Sequence, residues 1–228
     1  ETTKRKLIIK MSNNKKIPLE YIVREPQVRT KRPPVIFMLH GYGSNEEDLF
    51  SFADALPAEY MIISFRAPYH LATFGYAWYM INFDAEQDSF SDNAQAIASR
   101  DLIIQCIEEL CKLYDLDNKN ITLLGFSQGS ILSMAIALSY PKKIRNVVAL
   151  SGYVNKEILK EGYTRENHSA TRFYVSHGAS DQVIPVEWAR QTPEFLKNLG
   201  IKYKYEEFPV GHTVSPQNFY SFRNWLIE

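Results

Sequence analysis

The chain has 228 residues, 45% hydrophobic and 23% charged, a balance that excludes a disordered chain and leaves room for a core without disulfides. Its 26 basic and 26 acidic side chains cancel, so no overall field gathers nucleic acid or an anionic membrane surface. Apolar runs such as Val35-Ile-Phe-Met-Leu39 are far too short to span a bilayer.

In chain order, residues 7–11 and 19–24 flank the turn-forming Ser12-Asn13-Asn14, which predicts an antiparallel strand pair. The basic cluster Lys4-Arg5-Lys6 before them reads as a solvated face. Val35 to Leu39 is a continuous apolar run after Pro33-Pro34, as expected of a strand buried on both faces. Ser44-Asn45-Glu46-Glu47 offers a helix cap with acids in the first turn, predicting a helix to about Leu56. Residues 61–64 form the next strand. Residues 66–91 carry no clean period and many aromatics, and a connection of that length is expected to be functional, for instance a small lid, or else to hide short elements.

From Asp92 onward, Ala96, Ile97, Ile103, Ile104, Ile107 and Leu110 recur at helical spacing. Cys106 and Cys111 fall within this stretch, five residues apart, a spacing that does not readily bring two sulfurs together on a helix. They are expected as reduced thiols, which favours the cytoplasm; because position 1 is Glu, a removed signal peptide stands as the alternative. Residues 120–124 form a strand that breaks at Gly125, and a helix follows from Gln128 to Ser139, closed by Tyr140-Pro141. Strands at 147–150, 172–176 and 202–208 continue the series, with helices at 186–199 and 216–226. The alternation predicts one α/β domain over residues 1–228, with a mainly parallel central sheet and helices on both faces.

Chemistry gathers at the strand ends. Gly125-Phe126-Ser127-Gln128-Gly129 matches the G-x-S-x-G nucleophile elbow in its strand-turn-helix context. A serine that merely caps the next helix is the plainer alternative, and a hydroxyl needs a base within reach to act as a nucleophile. His212 follows the last strand, and Asp181 follows the strand at 172–176. Either alone is more often structural, but together the three keep the order Ser, Asp, His that an α/β-hydrolase fold imposes. His40 and His177 precede glycines at strand ends and are expected to bond the local backbone; His168 is expected in solvent. Leu39-His40-Gly41-Tyr42-Gly43 follows the first buried strand, which assigns the backbone N–H groups of Tyr42 and Gln128 as oxyanion donors.

Leu39-His-Gly-x-Gly43, Arg66-Ala-Pro68, Trp78-Tyr-x-Ile81, Gly125-Phe-Ser-Gln-Gly129, His177-Gly-x-x-Asp181-x-Val-Ile-Pro185 and Gly211-His212 together resemble the phospholipase/carboxylesterase family, which includes acyl-protein thioesterases. The resemblance implies a serine hydrolase with Ser127, Asp181 and His212 as its triad. It implies no metal and no organic cofactor, and carboxylic esters or thioesters as small-molecule substrates. It also places the aromatic segment over the acyl side of Ser127. Trp78, Tyr79 and Ile81, with Val183 and Val214 beside the triad, are therefore the expected substrate-binding residues, and short acyl chains the expected substrates. Long-chain acyl-protein thioesterase or lysophospholipase activity is the first alternative. A non-catalytic ligand-binding relative of the same fold is the second. Oligomeric state is left open, a homodimer included.

Overall fold

The computed structural model describes residues 8–10, 16–82 and 91–228. The Lys4-Arg5-Lys6 cluster, the Ser12-Asn13-Asn14 turn and residues 83–90 of the aromatic connection lie outside them. Strands β1 (Ile8–Lys10), β2 (Tyr21–Arg24), β3 (Val35–Leu39) and β4 (Met61–Phe65) open the chain, with the short helix α1 (Glu47–Phe50) between β3 and β4. A two-stranded hairpin, β5 (Tyr69–His70) and β6 (Tyr76–Ala77), precedes the long helix α2 (Asn93–Leu113). Then come β7 (Ile121–Phe126), α3 (Gln128–Ser139), β8 (Asn146–Leu150), β9 (Arg172–Gly178), α4 (Val186–Ala189), α5 (Thr192–Asn198), β10 (Lys202–Phe208) and α6 (Pro216–Ile227).

Eight strands form the main sheet in the order β1-β2-β4-β3-β7-β8-β9-β10. β1 and β2 pair antiparallel, as does β2 with β4, and every pairing from β4 through β10 is parallel. The expected mainly parallel sheet with an antiparallel N-terminal pair is what the chain forms. Alternation along β3 explains its unbroken hydrophobicity. Val35, Phe37 and Leu39 enter a core shared with α2 and α3, whereas Ile36 and Met38 enter a second core with Phe222 and Trp225 of α6. Burial of each such side chain stabilises by about 1.5–3 kcal/mol. Helix α3 is buried at every position, which is why it carries no charged residue and is apolar from Ile131 to Leu138 but for Ser133.

Two predicted helices are broken. At residues 44–56, Asn45 Oδ1 accepts the Glu47 N–H at 2.8 Å just ahead of α1, but the helix ends at Phe50 and gives way to a 3₁₀ turn at Ala53–Ala55. Leu56 is extended before Pro57, whose ring disfavours helical geometry in the residue ahead of it. At 186–199 the helix stops after Ala189 and restarts at Thr192, because Pro193 has no N–H to continue the ladder. α2 begins as predicted, with Asp92 accepting the Gln95 N–H at 2.9 Å. Its Cys106 and Cys111 are free and buried, and burial pushes their thiols up to about 11 and about 12. Among the described residues no helix is long and apolar enough to cross a membrane.

Candidate active site

A parallel sheet delivers the carboxyl ends of its strands to one edge, and the three candidate side chains meet there. Ser127 sits between β7 and α3 with φ 54° and ψ −119°, in the left-handed half of backbone space that an L-residue rarely adopts. Such a conformation costs on the order of 1–3 kcal/mol and persists only where the surroundings enforce it. They do so here by close approach. A Cβ on Gly129 would lie 1.9 Å from the Leu39 carbonyl oxygen, so the first turn of α3 can rest against the end of β3 only with glycine at that position. The Ser127 N–H donates to the Leu150 carbonyl at 2.8 Å, tying the elbow to β8.

Ser127 Oγ lies 2.9 Å from His212 Nε2, and His212 Nδ1 lies 2.6 Å from Asp181 Oδ2. A carboxylate only accepts, so His212 Nδ1 carries the hydrogen and Nε2 is left to accept from the serine hydroxyl. Asp181 Oδ1 accepts the N–H groups of Val183 and Ile184 at 2.8 and 2.9 Å. The loops carrying Asp181 and His212 pack through Gly178, where a Cβ would fall 2.0 Å from the Gly211 carbonyl oxygen. His177 adds a further contact. Its Nε2 is 2.8 Å from the Ile184 carbonyl, hence a donor, and 3.2 Å from Asp181 Oδ2. His168, expected in solvent, is instead buried with Nε2 at 2.8 Å from the Tyr163 carbonyl.

Burial alone would push the Asp181 carboxyl up, but the His212 hydrogen bond and the Ile184 and Val183 N–H groups outweigh it and hold the carboxyl below its ordinary value. Burial also holds His40 below its ordinary value of 6.5. Both shifts disfavour protonation in the folded state, so the unfolded chain binds more protons and stability falls with pH. The His40 contribution is present above pH 6.5 and is lost as pH drops from there through its folded value. The Asp181 contribution is lost below pH 3.8, as pH falls through that group's folded value. Thermal melts between pH 7.5 and 3 are expected to show Tm declining in two stages. A Tm that holds level from pH 6.5 down to pH 4 would contradict the His40 stage.

Of the expected oxyanion donors, Gln128 is the first residue of α3, where an N–H has no partner within the helix. Tyr42 lies in the loop after β3, and a Cβ on neighbouring Gly41 would be 3.4 Å from Ser127 Cβ. The expected substrate-binding residues divide. Val183 is exposed, Val214 packs on the α6 core, and Ile81 packs on the α2–α3 core. Trp78 and Tyr79, expected to fill the space beyond the nucleophile, are completely buried. The Gln128 side chain holds them there, accepting the Trp78 N–H and donating to the Tyr79 carbonyl, each at 2.7 Å.

Open space lies elsewhere. A cavity of about 420 Å³ next to Tyr42 is lined by Leu71, Phe74 and Met80, with Phe74 71% exposed. A second, of about 680 Å³, is lined by Tyr153, Trp188 and Phe195. Tyr153 follows β8 and Trp188 belongs to α4, just beyond the Asp181 loop. Phe74 and Met80 were within the aromatic segment singled out from sequence, but no period told inward from outward side chains there. Tyr153 and Trp188 gave no signal at all.

Residues 21–227 match the family model described as Phospholipase/Carboxylesterase. A protein of Oryza sativa subsp. japonica named "Probable carboxylesterase" is 31% identical over 109 residues, covering 47% of this chain and 41% of that protein. "Acyl-protein thioesterase 1" of Debaryomyces hansenii is 29% identical over 152 residues, covering 64% of this chain and 62% of that protein. The chain thus spans about half the length of the curated relatives it matches. A carboxylesterase from Mesorhizobium loti superposes with a TM-score of 0.80 at 18% identity, over 97% of this chain and 98% of that one. Esterase PE8 superposes with a TM-score of 0.79 at 24% identity, over 92% and 98%. At such identities the structural likeness establishes an α/β-hydrolase fold. The family model reaches from β2 to the end of α6, across every strand that positions Ser127, Asp181 and His212, and the chain belongs to the phospholipase/carboxylesterase family.

Proposed function

We propose that this protein hydrolyses carboxylic esters or thioesters through an acyl-enzyme on Ser127. The observation that carries the reading is the relay from Ser127 Oγ to His212 Nε2 at 2.9 Å and from His212 Nδ1 to Asp181 at 2.6 Å. In the first step Ser127 Oγ attacks the acyl carbonyl as His212 takes its proton; the tetrahedral oxyanion is held by the N–H groups of Tyr42 and Gln128. Collapse of that intermediate expels the alcohol or thiol, which receives the proton from His212. Water, deprotonated by the same imidazole, then cleaves the acyl-enzyme and regenerates Ser127. Asp181 keeps the proton on Nδ1 and stabilises the imidazolium. No step calls on a metal or an organic cofactor. A fluorophosphonate probe separates this reading from a ligand-binding relative with an idle serine: covalent labelling at Ser127 is expected, and its absence in folded protein would favour the receptor.

Short acyl chains are the proposed substrates. An acyl chain lying along a wall as open as Phe74 stays partly in water and gains only part of the roughly 0.8 kcal/mol per methylene that full burial gives. The cavity at Tyr153, Trp188 and Phe195 supports a second reading, in which it takes a longer chain. We expect kcat/KM for p-nitrophenyl esters to rise from acetyl to butyryl and then fall, with Phe74→Ala altering the profile. Trp78→Ala should instead lower stability by about 3–5 kcal/mol, as for a buried core aromatic. A preference for palmitoyl that Trp188→Ala removes would overturn the short-chain assignment and favour the long-chain thioesterase reading.

A further inference from the structure

His40 and Trp78 have no place in the relay, yet both are completely buried and both bond the loop that carries Tyr42. His40 Nδ1 lies 2.7 Å from the Gly41 carbonyl, which only accepts, so Nδ1 bears a hydrogen. The Ala67 N–H donates to Nε2 at 3.1 Å, so Nε2 is bare. Together these contacts determine the neutral tautomer and satisfy both ring nitrogens. The Trp78 indole N–H donates to the His40 carbonyl at 2.9 Å, and the two rings pack with centroids 5.4 Å apart. Each anchored carbonyl belongs to a planar trans peptide whose N–H points the opposite way. Trp78 thereby orients the 40–41 peptide, and His40 orients the 41–42 peptide, whose N–H is that of Tyr42.

We infer that His40 and Trp78 are positioning residues of the oxyanion loop, holding the Gly41–Tyr42 peptide so that the Tyr42 N–H is directed at the charge developing over Ser127. The inference rests on the reading of Tyr42 as an oxyanion donor. Surrounding contacts agree with it. The Gly41 carbonyl also accepts the Ser44 N–H at 3.3 Å, the Gly43 N–H donates to Tyr76 at 2.9 Å, and the Tyr76 N–H donates to Ser44 at 2.8 Å. A donor held in advance has nothing to reorganise at the transition state, whereas a peptide free to rotate presents its N–H only part of the time. Because the oxyanion is absent from bound substrate and develops only on the way to and from the tetrahedral intermediate, loss of this constraint should lower kcat and leave KM nearly unchanged. The charged groups acting on the His40 ring are Glu46, Asp48 and Arg66, the last paired with Glu46 and Glu20. A second proton on the ring would set an N–H at Nε2 against the Ala67 N–H and break the arrangement.

Two substitutions divide the ring's functions. Asn places an amide N–H where Nδ1 stands and keeps the bond to Gly41, whereas Gln places an acceptor near Nε2 and keeps only the bond from Ala67. For folded His40→Gln we expect kcat about 10²-fold below wild type at similar KM, comparable to loss of one oxyanion donor. His40→Asn should restore most of that loss. Wild-type kcat in folded His40→Gln, or equal losses in the two variants, would overturn the inference. Should His40→Gln fail to fold, Trp78→Phe supplies the test, since it keeps an aromatic ring while removing the indole N–H, and the packing lost with the larger ring is read separately as a lower Tm. A clear drop in kcat at constant KM then supports the inference, and wild-type kcat overturns it. Ser127→Ala in the same assay keeps the two questions apart: if it stays active, the active-site reading itself fails, whereas an inactive Ser127→Ala beside an active His40→Gln defeats the positioning role alone.

Discussion

Ser127→Ala is expected to lower kcat for ester hydrolysis by about 10⁶-fold while the protein stays folded, the scale seen when a triad serine is removed from a hydrolase. The substitution deletes one oxygen from a nearly buried residue and with it the 2.9 Å contact to His212. A single hydrogen bond of this kind contributes about 1 kcal/mol net, so Tm should move little. Alanine inherits the strained φ of 54°, and Ser127→Gly should therefore be somewhat more stable than Ser127→Ala, because glycine adopts that conformation without a Cβ penalty. Turnover and fluorophosphonate labelling at the wild-type level in a folded Ser127→Ala protein would remove the central claim.

Asp181→Asn is expected to lower kcat/KM by about 10⁴-fold, as in the precedent triad. The physical reason is a conflict of donors. Asp181 Oδ2 faces the N–H of His212 at 2.6 Å and the N–H of His177 at 3.2 Å, while Oδ1 receives two backbone N–H groups. An asparagine amide nitrogen set toward the histidines turns His212 to the wrong tautomer, with its hydrogen on Nε2. It also opposes His177, whose Nε2 hydrogen is engaged by the Ile184 carbonyl. Set the other way, it opposes the Val183 and Ile184 N–H groups. Either orientation leaves a buried donor unpaired, so Asp181→Asn should also lose about 1–3 kcal/mol of stability. Steady-state kinetics with a parallel thermal melt check both. Full activity would move the acid's role to Glu187 of α4, or to Asp84, which lies outside the described residues.

Much of this architecture is legible from local chemistry. β3 reads as a strand buried on both faces because five consecutive apolar residues leave no polar side to expose, and its alternate side chains do enter two different cores. The α2 start is legible at Asp92 because capping is a contact between near neighbours in sequence. Ser127, Asp181 and His212 could be singled out together because each follows a strand, and a parallel sheet sends all such loops to one edge.

Tertiary structure decided the rest. The aromatic segment after β4 has no period because its side chains are sorted by partners remote in sequence. Gln128, His40 and Ser99 bond Trp78, drawing it inward and leaving Phe74 and Met80 facing the open cavity. His40, His177 and His168 look alike in sequence as histidines in loops or at strand ends. Only the fold supplies the Ala67 N–H, the Asp181 carboxylate and the Tyr163 carbonyl that give each ring its surroundings. By itself the sequence determined the strand order of the chemistry and the residue types available for it, since these follow from short-range patterns and one parallel edge. Which groups are buried, which peptides are held and where a substrate finds room depend on contacts between residues tens of positions apart, and those exist only once the sheet and its helices have packed.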